Sequence, residues 1–133
     1  LDAEQIRDAM LMVTGKLDRT IGGPSVEFKE PRRSVYFKWF RNTKDPLLEV
    51  FDLPDSFTST AQRNVSTNST QALYMLNSSF MLQQGSTFAD RLHKDNLTTE
   101  DQKIERAFRL AFARTPSSKE LQIAKTFLAE QPK

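Results

Sequence analysis

The sequence predicts a mainly α-helical protein: a compact bundle of about five helices, with one candidate small β element near residues 33–41. Three observations carry this. Apolar residues recur at spacings of three and four in several separate segments. Helix-start signals precede those segments, the clearest at Ser117 and Glu120. Only residues 32–41 alternate in the manner of a strand, and no equally clear second strand is there to pair with them.

Taken in order, Ala3, Ile6, Met10, Val13 and Leu17 fall on one face of a first helix, with Arg7 and Asp8 off that stripe. IGGPS, residues 21–25, stops it, because Gly22 and Gly23 supply left-handed backbone and Pro24 cannot continue a helix. Residues 24–32 read as extended or irregular. In RRSVYFKWFR, residues 32–41, Val35, Phe37 and Trp39 alternate with Tyr36, Lys38 and Phe40, which favours a strand, a short helix being the alternative. DPLLEVFDLPD, residues 45–55, makes a helical turn or two, started by Pro46 and stopped before Pro54. Ala72, Leu73, Leu76 and Phe80 resume helical spacing until Asn77-Ser78-Ser79 interrupts them. A further helix runs to about His93, marked by Phe80, Met81, Phe88 and Leu92. Thr98 or Thr99 caps the next, with Ile104, Ala107, Phe108 and Ala111 on one face. After Pro116, Ser117 as N-cap and Glu120 at N3 form a capping box, and Leu121, Ala124 and Leu128 carry the last helix to the end.

Length and composition bound the function. A chain of 133 residues fits one domain with a single core, and ten phenylalanines point to an aromatic-rich one. Nineteen basic and 17 acidic residues are interspersed, leaving a net charge of +2 without a clustered patch, which argues against nucleic acid as the main ligand. The absence of cysteine removes disulfides, thiolate metal sites and covalent haem attachment from this segment. No apolar run reaches the roughly 18 residues of a membrane span. The chain opens Leu1-Asp2-Ala3-Glu4 with no initiator methionine, and is expected to be part of a longer protein.

The candidates for chemistry each carry two readings. In QRNVSTNSTQALYMLN, residues 62–77, the amides of Asn64, Asn68 and Gln71 suit a sugar and Arg63 an anion. Equally, Asn68, Ser69 or Thr70 caps the following helix while Arg63 ties the loop to a carboxylate. The Asn-x-Ser/Thr matches at Asn64, Asn68, Asn77 and Asn96 read as accidents of composition. His93, the only histidine, lies near a helix C-terminus and has no partner at metal-ligand spacing. Tyr36, Trp39 and Phe40 offer either a stacking face for sugar rings or a core or interdomain contact. Asp52 and Asp55 flank Leu53-Pro54 as turn residues rather than an acid/base pair.

Six blocks in order (DAEQIRDAML, GGPSV, RRSVYFKWFR, FDLPD, RNVSTNSTQALYMLN and RLAFARTPSSKEL) resemble the C-terminal domain of unknown function of planctomycete cytochrome-c-associated proteins, over nearly the whole chain. Ser69-Thr70 before Gln71, and Asn77-Ser78-Ser79, stand where that family usually has proline. Each is an exchange of one helix-start device for another. The resemblance implies a secreted or periplasmic parent with haem c elsewhere in it, and no established reaction. Arg7-Asp8, Arg32-Arg33 and Arg114 fall at the family's motif positions, where arginine ties helices to loops or grips an acidic ligand.

The expected role is therefore a non-catalytic helical module, with no cofactor in this segment, packing against other domains of the same polypeptide. Arg7, Asp8, Gly22, Gly23, Pro24, Arg114, Pro116, Ser117 and Glu120 are expected to be structural. Arg33, Trp39, Arg63, Asn68 and Gln71 are the candidates for ligand or interdomain contact. A share in an active site for polysaccharide or haem-linked redox chemistry, or a carbohydrate-binding module, are the alternatives.

Overall fold

In the computed structural model, which describes residues 2–55 and 57–131, the chain is mainly helical. Among the described residues six α-helices follow one another: α1 (Ala3–Val13), α2 (Pro46–Val50), α3 (Ser69–Asn77), α4 (Ser79–Lys94), α5 (Glu100–Phe112) and α6 (Ser118–Glu130). They form two compact units, Leu1–Ser86 and Thr87–Lys133, the division falling inside α4. No helix among the described residues is long and apolar enough to cross a membrane.

The core of the first unit is Ala3, Leu47, Leu48 and Met81, with Phe28, Phe51, Leu53, Tyr74 and Met75 packed against it. The face of α1 that enters it is turned from the stripe its apolar residues mark, sharing only Ala3 and Met10 with it. Ala3, Arg7 and Leu11 are buried, and Thr14 beyond the helix end, whereas Ile6, Met10 and Val13 are half-buried. Arg7 thus lies on the buried stripe, not off it, and is 1 % exposed. Its guanidinium sits over two rings, 4.3 Å from the centre of Phe37 and 4.8 Å from that of Phe28. Its terminal nitrogens donate to the carbonyls of Phe28, Glu30 and Arg32 at 2.7, 2.6 and 2.9 Å. The adjacent Asp8 accepts from the backbone N–H and hydroxyl of Ser34 and lies 3.6 Å from Arg7. Burial pulls Arg7 down to about 10, against the charges of Asp8 and Asp45, so it remains a cation at neutral pH.

The first helix also ends earlier than IGGPS. Thr14 turns its hydroxyl back to the Leu11 carbonyl, Gly15 takes φ 74°, and Lys16 and Leu17 both donate to Leu11, so Leu17 lies outside the helix. Within 32–41 there is no regular strand. Ser34–Tyr36 form a single 3-10 turn, and the β character is limited to isolated bridges at Asp18–Arg32, Val26–Phe37 and Phe40–Thr43. Phe37 alone of the alternating residues is buried, because it is the one that stacks on Arg7.

Asp45 caps α2 by accepting from the Leu47 N–H, and Pro46 stands at the first helical position. The turn ends at Phe51, and Asp52 adopts φ 59°. α3 again buries a face other than its leucines: Gln71 is buried, Tyr74 and Met75 are half-buried, and Leu73 and Leu76 are exposed.

The second unit is built from the end of α4 with α5 and α6. Thr99 and Gln102 make the capping box of α5, Ser117 and Glu120 that of α6. Ala113, in the left-handed region at φ 55°, ends α5. Arg106 pairs with Asp95, and Lys125 with Asp101. Among its described residues, Ile104 alone is a buried hydrophobic, and α6 contributes none.

Replacing Arg7 tests how the first unit is held. Arg7→Met is expected to cost about 3–5 kcal/mol in urea unfolding, since three carbonyls lose their donors inside the fold. Arg7→Lys should recover less than half of that, because an ammonium can neither fork to three carbonyls nor stack between rings. A loss below about 1 kcal/mol for Arg7→Met would show that the loop is held by something else.

Candidate functional site

The polar stretch before α3 is a closed hydrogen-bond network. Asn68 accepts from the Gln71 N–H at 2.9 Å, and the Gln71 side-chain oxygen accepts from the Asn68 N–H at 3.3 Å. The remaining Gln71 amide donors reach the carbonyls of Val50 (3.1 Å) and Ser66 (3.3 Å). Asp52 accepts from both the N–H and hydroxyl of Ser66 at 2.7 Å. Two segments that share no regular structure, the end of α2 and the approach to α3, are thereby joined. Arg63 donates in a two-pronged bond to Glu4 at 2.9 and 3.0 Å, with Asp2 3.6 Å away. Burial raises the Glu4 carboxyl, but the Arg63 bonds outweigh it and leave it below its ordinary range.

A second network encloses the glycine loop. Arg32 donates to the carbonyls of Thr20, Gly22 and Pro24 and lies over the Tyr36 ring at 4.2 Å. The Gly22 N–H donates to the Tyr36 hydroxyl at 3.0 Å. Gly22 and Gly23 have φ of 77° and 84°, which turns the carbonyls toward Arg32 and which other side chains rarely adopt. Of the adjacent arginines it is Arg32 that makes these bonds. Arg33 is exposed and lines a groove of about 610 Å³ with Met12, Leu17, Arg19 and Ile21. Arg63, Asn68 and Gln71 line no part of that groove, so the four polar candidates do not gather at one place.

Trp39 lies elsewhere again. A cleft of about 360 Å³ is lined by Phe28, Phe37, Trp39, Phe40, Pro46 and Leu48, with Glu27, Lys38, Thr43, Lys44 and Asp45 among them. Burial raises the Asp45 carboxyl, against the bonds it accepts at the start of α2 and the charge of Arg7. Asp52 and Asp55 form no acid/base pair: the first holds Ser66 and the second accepts from the Phe57 N–H.

In the second unit Arg114 forks onto Glu120 at 2.8 and 2.6 Å, while Glu120 also accepts from the Ser117 N–H and hydroxyl at 2.9 Å. Pro116 is half-buried directly before the cap. His93 is exposed in the last turn of α4. Among the described residues no group of three or more His, Cys, Asp or Glu side chains could hold a metal ion. Two of the open clefts could receive a ligand, one aromatic and one bearing Arg19 and Arg33. The residue that sequence reasoning passed over is Glu4, the Arg63 partner, since a carboxylate 59 positions away leaves no local signal.

Two outcomes follow from these bonds. Gln71→Ala is expected to lower stability by about 1–3 kcal/mol in urea, the cost of leaving buried partners unpaired. The Arg114 and Ser117 bonds hold the Glu120 carboxyl down from 4.5 to about 2. A lowered folded value stabilises the folded state above the ordinary glutamate range and loses that contribution as pH falls from 4.5 toward 2. An NMR titration of the Glu120 carboxyl should find that low midpoint, and Arg114→Ala should return it toward 4.5. A midpoint unmoved by the substitution would place the cause elsewhere.

Among curated proteins and among solved structures, none matches the chain. A family model does, that of PSD1, "Protein of unknown function (DUF1553)", over residues 1–128. Covering all but the last five positions, that match establishes that the chain belongs to the PSD1 family.

Proposed function

We propose that the chain is a non-catalytic helical module that packs against other domains of its own polypeptide. The observation that carries this reading is the last helix. α6 buries no side chain, and it leaves Ile123, Phe127 and Leu128 about half exposed or more, while Phe112 at the end of α5 is exposed as well. Ile123 and Phe127 stand one turn apart on the same face. A helix of this composition gains its stability from covering such a face, and contiguous exposed apolar surface of this kind marks an interaction site. The polar side chains point the same way: Arg7, Arg32, Arg63 and Gln71 are engaged with carbonyls and carboxylates of the fold itself.

That the covering partner lies in the same chain, in an exported parent carrying haem c in another segment, rests on the resemblance of the six sequence blocks. The test compares hydroxyl-radical labelling of the 133-residue chain with that of the full-length gene product. Phe127 and Ile123 should be labelled readily in the first and be protected about fivefold or more in the second. Equal labelling in both would sink the proposal.

A further inference from the structure

We infer that the aromatic cleft around Trp39 is a binding site for a neutral oligosaccharide, one sugar ring stacking on Trp39 and Phe40. Trp39 and Phe40 are 55 % and 56 % exposed, yet they stand on a fixed foundation. The segment leading to them is pinned by Lys38, whose N–H donates to the Val26 carbonyl at 2.9 Å, and the turn after them is closed from Thr43 to the Phe40 carbonyl. Beneath, Phe37 and Phe28 lie 4.9 Å apart, held by Arg7. The cleft therefore exists before any ligand arrives, which lowers the ordering cost of binding.

Its volume of about 360 Å³ and its mix of aromatic walls with polar residues suit a small ligand. The charges decide the class. Two acidic residues, Glu27 and Asp45, and two basic ones, Lys38 and Lys44, are among those lining the cleft, so their formal charges cancel. An apolar helix laid there would take water from these groups and return no hydrogen bonds. An acidic or basic ligand would meet one repelling pair. A sugar has an apolar ring face for the aromatics, and hydroxyls that donate to the carboxylates and accept from the ammonium groups. This inference is independent of α6 and of the covering proposed for it.

Trp39 is the only tryptophan, so its emission reports on the cleft directly. The chain is titrated with cellohexaose, xylohexaose and chitohexaose as neutral probes, and with trigalacturonate as the acidic control. A saturable shift with at least one neutral probe is expected, and no shift with trigalacturonate. Phe40→Ala, which keeps the fluorophore, should weaken the same titration by about tenfold with an unchanged far-UV spectrum. No saturable response to any of the three neutral probes overturns the inference. So does a response to trigalacturonate alone, or a neutral-probe affinity that Phe40→Ala leaves intact.

Discussion

The first unit depends on one buried cation. Arg7 stands on the buried side of α1 between Ala3 and Leu11, and its neighbour Asp8 bonds to the same loop. Together they hold residues 28–34, an irregular segment that leads into the 3-10 turn at Ser34. Buried carbonyls must find donors, and a guanidinium supplies several at once in a fixed fork. The flanking rings of Phe28 and Phe37 then make the cation's surroundings favourable rather than merely dry. Remove the cation, and the three carbonyls and two rings lose their common anchor.

The same device recurs with other residues. Arg32 gathers the carbonyls of the glycine loop, Gln71 joins the end of α2 to the start of α3, and Arg63 ties its loop to α1. Each serves an irregular segment that makes few backbone ladders of its own. Side chains that look like binding residues in a list are thus committed to the fold. What remains open is the Trp39 cleft, the groove beside Arg33 and the exposed face of α6.

The two units differ in how they are held. The first has buried leucines and a methionine around Ala3. In the second, caps, ion pairs and half-buried side chains surround one buried isoleucine, while Phe112, Ile123, Phe127 and Leu128 are exposed. Surface ion pairs contribute about 0–1 kcal/mol each, too little to stand in for a core. That contrast is the physical basis for reading the second unit as one that finishes its packing against something else.

The sequence by itself determined where helices begin and that the chain is mainly helical. Thr99, Ser117 and the Asp45-Pro46 pair act within three or four residues, and such chemistry is readable because both partners are adjacent in the chain. Which face of each helix turns inward was decided only in three dimensions. Counting Arg7 as polar turns the expected face of α1 away from the buried one, because the carbonyls that receive Arg7 lie 21 to 25 positions away, and Leu73 and Leu76 mark the exposed side of α3. The alternation at 32–41 read as a strand for the same reason: Phe37 is inside because it stacks on Arg7, and Trp39 is outside because nothing in the described fold covers it. Local hydrogen bonds are encoded by neighbours, whereas burial of a charged or aromatic side chain depends on partners that only the folded chain brings within reach.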